Sequence, residues 1–313
     1  MNRFRSLCFA ALVAVTVAAA TANAAPQLAG YAPPGTDLIV RLNGPKIVRS
    51  RAFALIRESR NFRKTEEDMR NELAKSGMTM EALLNTDVLL FTDTGKFDIE
   101  KPFSFMVVAR NQGNFADLVL KRVGALCEED VRAVLKKDPI GGREARLYKD
   151  DEDTIAAIAL DKSCAAVLWN VVPVAVPVLR QPGELARRMD PDALICIVFK
   201  NDKGVNRDIF EQLPPVVEPF LVGAVAAVAD LQDGGDRLIL KAELVYATVE
   251  RAQDVAAQLN GMLLVGMMSM SKKKPARAAI LKKFRVTLRE RTVVIDFACR
   301  NDKLARAFLD MKK

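Results

Sequence analysis

The chain contains no histidine. That absence excludes Ser-His-Asp and Cys-His nucleophile arrangements, imidazole general bases and the commonest transition-metal ligand. Catalysis would have to rest on carboxylate pairs, Ser-Lys dyads, tyrosine or a borrowed cofactor. Aromatic residues are scarce: fifteen Phe, three Tyr and the single Trp169. Platforms that stack on sugars or bases need several exposed rings, so the shortage argues against carbohydrate and nucleic-acid ligands. No C-x-x-C spacing occurs, and Gly141 with Gly142 and Gly234 with Gly235 are isolated turn pairs rather than a phosphate loop. Neither a metal nor a cofactor is expected.

The first residues carry an address. A basic head with Arg3 and Arg5 precedes an Ala- and Val-rich apolar run over 7–20, and Ala22, Asn23 and Ala24 supply small residues at a cleavage site. This is the pattern of a secretory signal peptide, residues 1–24, cleaved after Ala24. The apolar run is short of the roughly 20 residues that span a bilayer. The expectation is a periplasmic or secreted protein with no transmembrane segment once the signal is removed. The net charge of +8 becomes +6 without Arg3 and Arg5. Outside the cytosol, the polyanions that such a charge meets are membrane surfaces and envelope polymers.

Half the residues are hydrophobic and 27% are charged, which is globular composition. The chain left after residue 24 is near the size at which one core divides or duplicates. Of five cysteines, Cys8 leaves with the signal; Cys127, Cys164, Cys196 and Cys299 remain, and in an exported protein they permit disulfides in three full connectivities. Cys196 and Cys299 lie in apolar strand patterns, where buried thiols are equally at home.

Periodicity and turn residues predict a strand over 37–42, a basic helical stretch over 46–75, and a hairpin of 86–92 with 102–110 around Asp93, Thr94, Gly95 and Lys96. Asn114 is the expected N-cap of a helix carrying Phe115, Leu118, Val119 and Arg122. Strands follow over 143–149, 154–160 and 164–169, then a proline-broken helix over 170–189. The second half predicts a strand over 192–200, a helix over 206–220, and a hairpin of 223–231 with 237–246 across Asp233, Gly234, Gly235 and Asp236. Thr248 caps a helix with Ala252, Val255, Ala256, Leu259, Met262, Leu263 and Met267 on its core stripe. After a basic linker come a tight hairpin of 284–289 with 292–299 and a C-terminal helix from Asn301. The order repeats, so the expected architecture is α+β in two similar halves, 25–190 and 191–313, mainly antiparallel hairpins packed with helices.

Pro33, Pro34, Gly35, Thr36, Asp37, Leu38 and Ile39 form a proline-led strand entry. With the repeated hairpins and helices behind it, this resembles a broad group of uncharacterised bacterial secreted proteins classed as domains of unknown function. The resemblance implies an exported protein of duplicated strand-helix-hairpin units and transfers no catalytic residue.

The strongest local feature is basic: Lys272, Lys273, Lys274, Arg277, Lys282, Lys283, Arg285, Arg289 and Arg291 face a single acid, Glu290, and follow the apolar stretch 262–270. An apolar helix end beside a basic cluster is how peripheral proteins grip anionic bilayers. The same residues also suit a solvated linker. Met262, Met267, Met268 and Met270 suggest core packing rather than Cu(I) capture, because no histidine or paired cysteine accompanies them. Ser269 to Lys272 fits S-x-x-K, but the S-D-N and K-T-G partners are absent. The acids at 150–153, and Asp230, Asp233 and Asp236, lack the full calcium-loop pattern.

The sequence therefore predicts a non-catalytic exported binding or protein-interaction module of the bacterial envelope, with an unidentified envelope protein as partner. The alternatives are a peripheral protein holding an anionic membrane or polymer through Lys272, Lys273, Lys274, Arg277, Lys282 and Lys283, and a hydrolase using carboxylates between the halves.

Overall fold

The computed structural model describes residues 28–74, 79–93, 104–111, 113–128, 134–136, 139–149, 153–171, 177–201 and 218–308. The expected signal peptide, the acids at 150–152 and most of the expected helix over 206–220 lie outside these residues. The architecture is α+β, and every paired strand in the two units described below is antiparallel to its neighbours. The chain divides into two compact units, one holding residues up to Lys46 with Glu67–Arg187, the other Ile47–Glu66 with Arg188 onward.

In the first unit the strands are β1 (Leu38–Asn43), β2 (Asp87–Thr92), β3 (Phe105–Arg110), β4 (Val134–Lys136), β5 (Ala145–Lys149), β6 (Thr154–Asp161) and β7 (Cys164–Trp169). Their spatial order is β1-β2-β3-β7-β6-β5-β4. The near-continuous apolar runs of β3 and β7 follow from burial on both faces. Helix α5 (Phe115–Glu128) packs on β5, β6 and β7. Phe115, Ala116, Val119, Leu120 and Val123 recur at helical spacing and fill a core with Val107, Tyr148 and Ala157. The helix starts where expected, with the Leu118 amide donating to the Asn114 carbonyl at 3.3 Å.

The predicted helix over 46–75 is three helices instead: α1 (Gly44–Arg49), α2 (Arg51–Arg57) and α3 (Arg60–Ala74). Serines make the breaks. Ser50 Oγ accepts from the Phe53 amide at 3.1 Å, and Ser59 Oγ accepts from the Phe62 amide at 3.2 Å. A hydroxyl that satisfies the first amides of a new helix favours a restart over continuation. The short α4 (Met80–Leu84) is capped by Thr79 in the same way. Asn111 fixes it by donating to the Ala82 carbonyl at 2.7 Å and to Thr86 Oγ1 at 2.8 Å. The predicted broken helix over 170–189 is also corrected. Its described part is irregular except for one turn, α6 (Glu184–Arg187), because Pro177 and Pro182 remove the amides a helix needs.

In the second unit β8 (Ile195–Lys200), β9 (Ala224–Asp233), β10 (Arg237–Tyr246), β11 (Phe284–Arg289) and β12 (Thr292–Arg300) take the order β8-β9-β10-β12-β11. One turn of helix, α7 (Glu218–Leu221), precedes β9. At the β9–β10 turn the Gly235 amide donates to Asp233 Oδ1 at 3.0 Å, with Gly235 at φ 80°. A positive φ costs glycine nothing. Helices α8 (Val249–Ser271), α9 (Pro275–Leu281) and α10 (Asn301–Phe308), with α2 from the Ile47–Glu66 segment packed on α10, complete the unit. The first part of α8 buries Ala252, Val255 and Ala256 against Leu244, Tyr246 and Val293. The Asn301 amide and side chain donate to the carbonyls of Asp236 and Gly235, which ties the start of α10 to the β9–β10 turn.

In the first unit β1, β2 and β3 lie side by side, α5 follows, and β4 to β7 return with β7 docked on β3; in the second β8, β9 and β10 lie side by side, α8 follows, and β11 and β12 return with β12 docked on β10.

Candidate surface-binding site

Helix α8 changes character halfway along. Thr248 caps it as the sequence predicts, its hydroxyl accepting from the Arg251 amide at 3.2 Å. Over the first turns the inner face is buried, while Gln253, Asp254, Ala257 and Gln258 face outward. From Gly261 onward the outward face turns apolar: Met262 is 45% exposed, Leu264 55%, Val265 66% and Met268 68%. Placing Met262 on the core stripe is therefore corrected. Leu259, Leu263 and Met267 are only half-buried. The residues from 255 to 271 include no charge, and from 261 to 268 the helix is apolar all round, while packing on β10, β11, β12 and α9 covers only one side.

The close approach of α9 fixes which side is covered. A Cβ built at Gly266 would lie 3.1 Å from Leu281 Cδ1, whereas Gly261 has nothing within 4 Å. Gly266 thus marks the inner face toward α9. Gly261, Val265, Met268 and Lys272 share the opposite face at spacings of four, three and four residues, so the apolar stripe ends in an ammonium group.

The basic segment is folded, not a linker. Pro275 opens α9 at its first helical positions, where a missing amide costs nothing. Lys272, Lys273 and Lys274 occupy the α8–α9 junction, Lys282 and Lys283 the α9–β11 junction, and all five are exposed. Arg277 differs from these five: it is half-buried, and its Nε donates to the Ala307 carbonyl at 2.8 Å, pinning α9 to α10. Arg285 and Arg289 are exposed on β11, which pairs with β12 alone in this unit, and Leu288 is 37% exposed beside them. Between Asp254 and Glu290 the sequence has eight basic residues and no acidic one. The C-terminal part of α8, α9 and β11 therefore contribute only positive charge to this surface.

Elsewhere the reactive groups are placed for structure. Cys164, Cys196 and Cys299 are buried thiols, not disulfides. Burial pushes the Cys164 thiol up to about 12, opposed by Arg110, so it is protonated at neutral pH. Asp153 accepts from Trp169 Nε1 at 3.1 Å and from Asn170 Nδ2 at 2.9 Å, which commits it to holding the β6–β7 end. Burial raises the Asp230 carboxyl, with the Cys196 thiol acting against it. Among the described residues no three His, Cys, Asp or Glu side chains are grouped to hold a metal ion. No described helix is long and apolar enough to cross a membrane.

The sequence picked out the lysines and the apolar stretch 262–270 beside them, but by placing Met262 on the core stripe it missed how much of that stretch is exposed. The signal was available in the uncharged stretch 255–271, which offers more apolar residues than one buried face can use.

No protein-family model and no curated protein matches the chain. Among solved structures, crystal form III of TP0453 is similar over 89% of this chain and 96% of that one, at 11% identity and a TM-score of 0.46. Crystal form I of TP0453 covers 90% and 95%, at 11% identity and a TM-score of 0.42.

Proposed function

We propose that the protein is an exported, non-catalytic binding module that attaches to an anionic membrane or envelope polymer through α8, α9 and β11. One observation carries this reading: an exposed apolar stripe runs directly into the exposed Lys272, Lys273 and Lys274, in a stretch of chain without a single carboxylate between 255 and 289. Each Lys or Arg near an anionic surface contributes about 1 kcal/mol, so five lysines and two arginines are enough for reversible attachment. The leader over 1–24 supports an extracytoplasmic site of action, and the shared strand order of the two units supports a chain of two related halves. Because Arg277 is occupied by Ala307, its part in binding is to hold α9 in place.

The test is cosedimentation of the mature protein with vesicles of phosphatidylcholine and phosphatidylglycerol at 50 and 500 mM salt, beside retention on a sulfated polysaccharide resin. Binding at low salt that is lost in Lys272→Glu/Lys273→Glu/Lys274→Glu is the expected result. No binding to either surface overturns the reading.

A further inference from the structure

We infer that the ligand is a lipid bilayer and that Leu264, Val265 and Met268 enter its acyl layer while Lys272, Lys273 and Lys274 stay at the phosphates. This deepens the proposed attachment and rests on it. A charged polymer would engage the lysines alone and leave three large apolar side chains, each more than half exposed, in water. An anionic bilayer supplies both partners at the required separation. Val265, Met268 and Lys272 lie on one face, and a helix rises about 1.5 Å per residue, so the apolar stripe and its terminal ammonium are within roughly two turns.

The alternation of polarity sets the depth. The outward face of α8 is polar at Gln253, Asp254 and Gln258 and apolar from Gly261 to Met268. Only the C-terminal half of the helix can therefore enter, and it does so from the interface rather than across the bilayer. Lysine stems are long enough to lie along the apolar layer with the ammonium in the headgroups. A second copy of the chain is a poor occupant, because Lys272, Lys273 and Lys274 at the end of the stripe would face their own copies.

The test compares two full-length mature variants with the wild type: Leu264→Ser/Val265→Ser/Met268→Ser, which keeps every charge, and the triple lysine reversal. The altered residues are exposed, and equal melting temperatures will establish that folding is intact. The serine variant should bind 30% phosphatidylglycerol vesicles at least ten-fold more weakly at 150 mM salt, yet bind dextran sulfate like the wild type. Equal vesicle binding by serine variant and wild type overturns insertion and leaves electrostatic attachment standing. Wild-type binding to dextran sulfate without vesicle binding has the same meaning. Loss of both ligands in the wild type overturns the attachment itself. A concentration-dependent dimer, seen by light scattering and abolished by the serine substitutions, would assign the stripe to self-association and overturn insertion.

Discussion

Arg41 and Asp87 form a bidentate ion pair inside the first unit, Nε to Oδ1 at 3.1 Å and Nη2 to Oδ2 at 3.2 Å, each side chain 1% exposed. In the β1–β2 register Arg41 faces Leu89 and Asp87 faces Asn43, so the pair closes diagonally across the ladder. Burial raises the Asp87 carboxyl, and the Arg41 guanidinium opposes that shift. Desolvating two charges offsets much of their attraction, but removing one strands the other. Asp87→Leu is expected to cost about 3–5 kcal/mol in urea unfolding. The double variant Arg41→Met/Asp87→Leu should lose less than Asp87→Leu alone. A double variant as unstable as the single would show that Arg41 is held chiefly by other partners.

Alkaline stability should depend on two buried acids. Burial pushes the Cys164 thiol from 9.0 to about 12 and the Tyr246 phenol from 10.0 to about 12. Above pH 9 the unfolded chain releases these protons while the native state retains them, so stability falls as pH rises from about 9 toward 12. Cys164→Ala should cost about 1 kcal/mol at pH 7 and flatten that decline. Tyr246→Phe flattens it too, but strands the Phe220 carbonyl that the hydroxyl serves. Urea midpoints at pH 7, 9 and 10.5 check both, and a Cys164→Ala profile parallel to the wild type would contradict the assignment.

Most of the fold was legible because its signals are local. Thr248 as cap, Gly234 and Gly235 as a turn, and the alternation in β12 each act over a few residues. The breaks at Ser50 and Ser59 were not, since either serine fits a helix interior until its hydroxyl is seen taking an amide. Nor was the ion pair, whose members are 46 positions apart. The lysines of the candidate site were legible as charge. The exposure of Val265 and Met268 was not, because periodicity places residues on a face of a helix without telling which face the rest of the protein covers.

Two glycines of α8 should respond oppositely to alanine. Gly261 is exposed with open space around its Cβ position, so Gly261→Ala gains helix propensity and should stabilise by about 0.5–1 kcal/mol. At Gly266 the new methyl meets Leu281 Cδ1 at 3.1 Å, and the Leu281 side chain must shift by a few tenths of an ångström. Gly266→Ala should gain less than Gly261→Ala or lose stability, and it should perturb the α8–α9 junction. Thermal unfolding of both variants decides this; equal gains would mean α9 is loosely held.

Oxidation should weaken attachment through two side chains. Met262 and Met268 are 45% and 68% exposed on the apolar stripe, whereas Met80, Met106 and Met189 are buried and shielded. Peroxide transfers an oxygen atom to the thioether and is itself reduced to water, leaving a polar sulfoxide where the bilayer requires an apolar group. Mild peroxide treatment is therefore expected to lower vesicle affinity without lowering dextran sulfate binding, and methionine sulfoxide reductase should restore it. Met262→Leu/Met268→Leu keeps the volume and apolarity of the stripe but offers no sulfur to oxidise. Its vesicle binding should survive the same treatment. If the double variant loses affinity as fully as the wild type, the damage lies elsewhere, and the stripe does not set the response to oxidation.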